Sequence, residues 1–337
     1  MADGNFAKRS SYIAAAAQAV LGEEPLEISA PGGTARSSLR LHFADRTVIA
    51  TLRRNFRRTH LEAYVLEQLA PHCDDIPQVL GVQDDVLFQS DTGATRLSSE
   101  IIAHPESDQL ELAAESVAAI FRIQAAARQT GLAAILPHLG ANRGWVRNFV
   151  GSVDALQPYS MGIPDSFDFP AVAERMEYPG VQFLKWDCRA GNAAIGDDGY
   201  LRWFDFEYAG LRHGAEDFAW LIGDETWPIA PDKMADVMIS EFDSGCGHDI
   251  GAYLEYLSVY TALHCVQRLK LIQKEVKSRG WLSKERVRRL DDAGVHPEFA
   301  VQLCKVGAYY ADQSRLTAPL RRNFEAAGRA FQAIAEG

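Results

Sequence analysis

Lys185-Trp186-Asp187-Cys188-Arg189-Ala190-Gly191-Asn192 is followed by Trp203-Phe204-Asp205-Phe206-Glu207, and this pair of segments decides how the chain is read. An aspartate with an asparagine five residues on, then an apolar strand ending in a second aspartate, supplies three oxygen groups around one magnesium nucleotide. That layout suits phosphoryl transfer, in which the protein positions an acceptor hydroxyl and neutralises charge while doing little covalent chemistry of its own. Hard oxygen ligands suit magnesium. On this reading Asp187 accepts the proton of the acceptor hydroxyl, Asn192 holds a metal through its amide oxygen, Asp205 bridges metal and phosphates, and Arg189 reaches the transferred phosphate.

Local patterning agrees. Gly180-Val181-Gln182-Phe183-Leu184 and Tyr200-Leu201-Arg202-Trp203-Phe204 are short apolar or alternating runs, with the strong turn signal Gly196-Asp197-Asp198-Gly199 between them. A hairpin-like pairing of these two runs is expected to bring Asp187 and Asp205 together.

With these residues in place the chain resembles the aminoglycoside phosphotransferase-like group, small-molecule kinases that share the protein-kinase fold. That group's catalytic loop reads His-Gly-Asp-x-x-x-x-Asn and its metal strand Asp-x-Glu or Asp-x-Asp. Asp187, Asn192, Asp205 and Glu207 match, and Glu216-Asp217-Phe218-Ala219-Trp220 is similar to the helix-start acid that braces the loop. Lys185-Trp186 stands where the group has His-Gly. The resemblance runs over roughly residues 28 to 225. It implies an α+β, bilobal, protein kinase-like fold: a small antiparallel-sheet lobe over residues 1–95 that binds nucleotide, and a larger, mainly helical lobe over 96–337 that carries the catalytic loop and the acceptor site.

The amino-terminal third can be read for such a lobe on its own terms. Leu26–Ala30, Ser38–Phe43 and Thr47–Arg53 read as three antiparallel strands. Between the first two lies Pro31-Gly32-Gly33-Thr34, a turn whose backbone amides could approach phosphates, although it lacks a full Gly-x-Gly-x-x-Gly and reads equally as a plain hairpin turn. On the third strand, period two places Ile49, Thr51 and Arg53 on one face, with Arg53 where a kinase has its phosphate-pairing lysine. Arginine is always charged and donates in a planar fork, so it can bind phosphate without being equivalent to lysine. Thr59–Leu69 has helical spacing with Thr59 as a cap and Glu62 three residues on. Glu62 is therefore either the ion-pair partner of Arg53 or the second half of a capping box. Asp85-Val86-Leu87-Phe88-Gln89 reads as a strand running into a hinge, where backbone around Gln89, Ser90 and Asp91 would meet a purine edge.

Composition bounds the rest. A chain of 337 residues with 47% hydrophobic content can bury large cores, and its length fits two domains. A formal net charge of -11 argues against nucleic-acid binding, because phosphate backbones attract basic surfaces; Arg53–Arg58 is the one short basic cluster. Five scattered cysteines without Cys-x-x-Cys spacing suggest neither a disulfide framework nor a zinc site, and a reducing cytoplasm is the expected home. No run approaches the eighteen or so apolar residues that span a bilayer, and the alanine-rich start reads as a first helix ending near Gly22 rather than a signal peptide. From Arg96 the chain turns helical. Val259, Leu263, Val266 and Leu269 mark the core face of one long helix.

Together these readings point to a phosphotransferase dependent on ATP (or GTP) and Mg2+, with a small-molecule hydroxyl acceptor: an aminoglycoside, choline or sugar-like compound. Acids at Glu207, Glu216, Asp217, Asp224 and Glu225 could attract a cationic acceptor or serve structural ion pairs, and the aromatic-rich segment 140–168 could cover the acceptor. A non-catalytic nucleotide-binding scaffold and a nucleotidyltransferase on the same fold are the alternative readings, the first suggested by the absent histidine and by Arg53.

Overall fold

The computed structural model describes residues 2–34, 36–177, 180–290 and 292–337. Helix α1 (Ala2–Leu21) precedes strands β1 (Glu27–Ser29), β2 (Ser38–His42) and β3 (Thr47–Leu52), helix α2 (Phe56–Leu69), and strands β4 (Val79–Gln83) and β5 (Val86–Ser90). These strands form one antiparallel sheet in the order β1-β2-β3-β5-β4.

Alternation along the strands sorts the two faces. Leu39, Leu41, Val48, Ala50, Val86 and Phe88 pack under Ile13, Ala16 and Ala17 of α1, and burying each large side chain contributes about 1.5–3 kcal/mol. The opposite face, carrying Arg40, Ile49, Thr51 and Gln89, lines a cleft. Helix α2 does not join the core beneath α1; its Val65, Leu66 and Leu69 belong to the large apolar core of the helical part, so this helix ties the sheet to the larger lobe.

After β5, residues 90–95 lead into β6 (Thr95–Arg96), α3 (Leu97–Ala103) and α4 (Glu106–Arg128). Then come α5 (Arg143–Gly151), α6 (Phe169–Met176), four short strands β7 (Gln182–Leu184), β8 (Ala193–Ile195), β9 (Leu201–Trp203) and β10 (Gly210–Arg212), and α7 (Ala215–Ile222). Helices α8 (Pro231–Ser240), α9 (Ile250–Arg279), α10 (Lys284–Leu290), α11 (Pro297–Asp312) and α12 (Arg321–Glu336) complete the larger lobe. Val259, Leu263, Val266 and Leu269 are fully buried on α9, as their spacing predicts. The fold is thus α+β and bilobal. Among the described residues no helix is long and apolar enough to cross a membrane, and all five cysteines are unpaired.

Two local expectations are corrected, and one strand went unread. The expected hairpin between the runs before Asp187 and Asp205 does not form: β7 pairs with β10, and β9 pairs with β8 across the Gly196–Gly199 turn. Thr59 does not cap α2, which starts earlier with Asn55 accepting from the Arg57 N–H; Thr59 is buried, its hydroxyl donating to the Asp85 carbonyl. Strand β4 escaped the sequence reading because Gly81 interrupts it where its register against β5 shifts, and glycine in a strand reads as a break.

Candidate active site

Among the described residues only four non-glycine residues have positive φ: Asp84, Trp186, Asp187 and Asp205, the last three at +63°, +54° and +67°. Such conformations cost about 1–3 kcal/mol each and persist only where the surroundings enforce them. Here the enforcing bonds can be named.

Asp217, at the start of α7, accepts the Trp186 N–H at 2.7 Å and the Lys185 N–H at 2.9 Å. It is buried, and burial pushes its carboxyl up to about 6 against the pull of those two N–H groups. Asn192 donates to the Asp187 carbonyl at 2.9 Å and to its Oδ2 at 3.1 Å, while the Asn192 carbonyl accepts from the Phe204 N–H at 2.9 Å. One asparagine therefore ties the loop of Asp187 to the strand that leads into Asp205. Arg189 Nε donates to Asp187 Oδ1 at 2.9 Å.

Lys185 lies two residues before Asp187. Its side chain is 1% exposed, Nζ donates to the carbonyls of Trp186 and Asp187 at 3.4 and 3.3 Å, and it lies 5.4 Å from the Phe206 ring centroid and 5.8 Å from that of Trp203. A cation over aromatic faces is attracted by their quadrupoles. The loop before Asp187 and the residue after Asp205 thus share one ammonium group, a role that nothing in the local spacing signals.

From the sheet side, Arg53 reaches Glu62 of α2 (Nε to Oε2, 3.1 Å), Asp205 (Nη2 to Oδ1, 2.7 Å) and Glu207 (Nη1 to Oε1, 3.0 Å). Burial alone would lower the Arg53 pKa, but the charges of Glu62, Asp205 and Glu207 override it and raise it. Glu62, nearly fully buried, also accepts from the Phe206 N–H at 3.0 Å and from Gln89 Nε2 at 3.4 Å. The ion-pair reading of Glu62 therefore holds over the capping-box reading. Glu207 is engaged a second time by Arg58 at 3.3 Å, and burial holds its carboxyl above the usual range despite Arg53.

The cleft between the sheet and the loop that carries Asp187 is lined by Gly32, Arg40, Thr51, Arg53, Glu62, Gln89, Ser90, Asp91, Asn192 and Asp205, among others. Gly33 and Thr34 belong to the adjoining turn, where the Gly33 N–H donates to the Ala30 carbonyl and Arg9 of α1 donates to the Thr34 carbonyl at 3.0 Å. At the hinge, the Asp91 carboxylate is held by Arg40 and by the Thr47 hydroxyl, and Ser90 Oγ accepts from the Gln78 N–H. These contacts hold the side chains of residues 90 and 91 where the chain leaves β5.

The donor set fits a magnesium ion. Among the described residues no three His, Cys, Asp or Glu side chains are grouped as a metal site, so an ion would be held by Asp205 and the Asn192 amide oxygen, with phosphate oxygens and water completing six hard ligands. The Asn192 amide nitrogen is already committed to Asp187.

The acids once open to a cationic acceptor have internal partners. Glu216 pairs with buried Arg212 at 2.7 Å and accepts from Tyr256, Asp217 holds the loop, Asp224 accepts from the Ala190 N–H, and Glu225 is held by Arg268 at 2.6 Å and by the Gly294 N–H. The structural reading of this acidic run prevails. Cys188 beside Asp187 is fully buried with its thiol pushed well up by burial, so it is a poor target for oxidation. Trp145, from the aromatic segment, lies 6.3 Å from Trp186, which in turn lies 6.0 Å from Trp220.

No protein-family profile and no curated protein sequence matches the chain. Solved structures do. It is similar to an aminoglycoside phosphotransferase from Alicyclobacillus acidocaldarius (TM-score 0.56, 12% identity, 91% of this chain and 96% of that one). A choline/ethanolamine kinase family protein from Mesorhizobium loti is similar at TM-score 0.55 and 15% identity, over 95% of this chain and 99% of that one. A spectinomycin phosphotransferase solved with ADP and spectinomycin is similar at 0.51 and 11%, over 96% and 98%. Likeness at such identities establishes the fold: the bilobal, kinase-like architecture shared by these proteins.

Proposed function

We propose that the protein is a phosphotransferase that uses a magnesium nucleotide, ATP or GTP, to phosphorylate a hydroxyl of a small molecule. The observation that carries the reading is the clustering at Trp186, Asp187 and Asp205 of three of the four positive-φ non-glycine residues among the described ones, with Asn192 bonded to both sides of that constellation. Solved neighbours with this fold include a choline/ethanolamine kinase family protein, an aminoglycoside phosphotransferase, and a spectinomycin phosphotransferase holding ADP.

In this reading the sheet face with Thr51 and Gln89 and the hinge backbone at residues 89–91 hold the base, while Gly32, Gly33, Thr34 and Arg53 border the phosphates. Asp205 and Asn192 would hold magnesium, with Glu207 alongside, and the ion would supply positive charge against the phosphate oxygens. Asp187 orients the acceptor hydroxyl and takes its proton. Arg189, fixed on Asp187, puts a second cation beside the transferred group. The acceptor lies on the side of Trp186, where Trp145 and Trp220 stand.

The first test needs no acceptor. ATP with magnesium should raise the melting temperature of the folded protein, because binding to the native state stabilises it by mass action, and Asp205→Asn should remove the metal-dependent part. Turnover is then assayed with a panel of aminoglycosides, amino alcohols and sugars, reading ADP and phosphorylated product. Nucleotide binding with no product from any acceptor would favour the scaffold reading, and pyrophosphate release would favour nucleotidyl transfer.

A further inference from the structure

One guanidinium holds three carboxylates. Arg53 contacts Glu62, Asp205 and Glu207, which come from α2 and from the segment after β9. Asp205 is the acid that the proposed magnesium needs. We infer that Arg53 is an internal counter-ion for the metal site, so that a divalent cation gains Asp205 only together with nucleotide. The inference rests on the functional reading above and specifies the order in which its two ligands enter.

Charge accounting supports it. In the nucleotide-free protein a divalent ion on either Asp205 oxygen would stand against the Arg53 guanidinium, whose Nη2 lies 2.7 Å from Oδ1, and like charges this close in a half-buried site repel strongly. Polyphosphate removes the conflict because its oxygens accept N–H groups from Arg53 and coordinate the ion at once. Glu62 and Glu207 keep Arg53 anchored while it turns from Asp205 to phosphate, since each has a separate contact with it. Arginine suits such a device and lysine does not: a planar fork with five N–H donors can serve three acids from one position, whereas an ammonium offers three donors from a single nitrogen.

The direct measurement is manganese binding by electron paramagnetic resonance, on the full chain, with Mn2+ alone and with saturating ADP, corrected for the Mn–ADP complex in solution. Wild-type protein should bind Mn2+ weakly by itself, and about tenfold or more tightly with ADP, the size usual for coupled sites. Arg53→Gln, which removes the cation and keeps a hydrogen-bonding side chain, should tighten binding of Mn2+ alone by about tenfold, and adding Asp205→Asn should abolish the gain. Equal Mn2+ affinity in wild type and Arg53→Gln without nucleotide would overturn the inference, as would a gain that survives Asp205→Asn. Should the variant fail to fold, wild type decides: Mn2+ bound as tightly without ADP as with it is equally fatal. Absence of any thermal shift with ADP would instead count against the nucleotide reading itself, while the Mn2+-only comparison still judges Arg53.

Discussion

Gly93 offers the sharpest check on how the hinge meets the larger lobe. Its φ is +122°, and a Cβ built there would lie 2.3 Å from the Ile195 carbonyl oxygen and 3.0 Å from the Gly196 Cα, on the β8–β9 hairpin. Its carbonyl accepts from Arg40 at 2.9 Å and its N–H donates to Asp91 at 3.1 Å. Gly93→Ala therefore meets two costs: about 1–3 kcal/mol for a backbone region that side chains avoid, and about 1–3 kcal/mol for forcing apart a packed contact. Gly199→Ala is the control, since its φ is +78° with nothing within 4 Å of the added Cβ, and about 1–2 kcal/mol of strain is all it should show. Urea unfolding of both variants, compared at unchanged m-value, should place Gly93→Ala lower by about 1–3 kcal/mol, the share owed to the Ile195 carbonyl. The same variant should weaken the nucleotide-induced thermal shift, because Arg40 and Asp91 move with the hinge. Equal destabilisation of the two variants would refute the close approach and the hinge geometry built on it.

Other outcomes concern the site itself. Lys185→Met removes the ammonium bonded to two loop carbonyls, so turnover should fall by about 5- to 100-fold, equivalent to about 1–3 kcal/mol. Its melting temperature should fall as well, because two loop carbonyls lose their donor; unchanged turnover would reduce Lys185 to a filler. Asp187→Asn should lower turnover by about 10²- to 10⁴-fold with nucleotide binding intact, and an unaltered rate would send the search for the base elsewhere. Burial pushes the Asp217 and Asp224 carboxyls up to about 6 from an ordinary 3.8. Between pH 4 and 6 the native protein therefore holds protons that the unfolded chain has lost, and these two groups make stability fall as pH rises through that window, by up to about 1.4 kcal/mol per pH unit each. Calorimetry should show the slope flattened in Asp217→Asn, and an identical slope would contradict the assignment.

What the sequence disclosed and what it withheld divide along the range of the interactions. Leu39 and Leu41, Val48 and Ala50, and Val86 and Phe88 alternate with polar or cleft-facing neighbours, so their strands and buried face were legible within a few residues. The proximity of Asp187 and Asn192 was legible from their five-residue spacing, and the Asn192 carbonyl also meets the strand end before Asp205. The partner of β7 was not: β10 lies beyond both β8 and β9, and only chain closure around the loop selects it. The fate of the acids from Glu216 to Glu225 was hidden for the same reason, because Arg212, Tyr256 and Arg268 lie either four or some forty residues away along the chain, on surfaces that local pattern does not identify.

The departure at Lys185-Trp186 then has a physical account. Two consecutive left-handed residues and a third at Asp205 carry a strain of about 3–9 kcal/mol in sum, and other bonds must offset that strain. Asp217 takes the N–H groups of residues 185 and 186, Lys185 and Asn192 take the carbonyls of 186 and 187, and Glu62 takes the N–H of residue 206. Every one of these four side chains is at least nine-tenths buried, where hydrogen bonds gain strength and an unmade one is expensive. A chain retaining this arrangement as a mere scaffold would gain nothing from holding Asp187 and Asp205 in strained conformations, since nucleotide affinity needs only the cleft and its cations. The strain would have a use under the proposed function, in which both carboxylates face one reacting phosphoryl group.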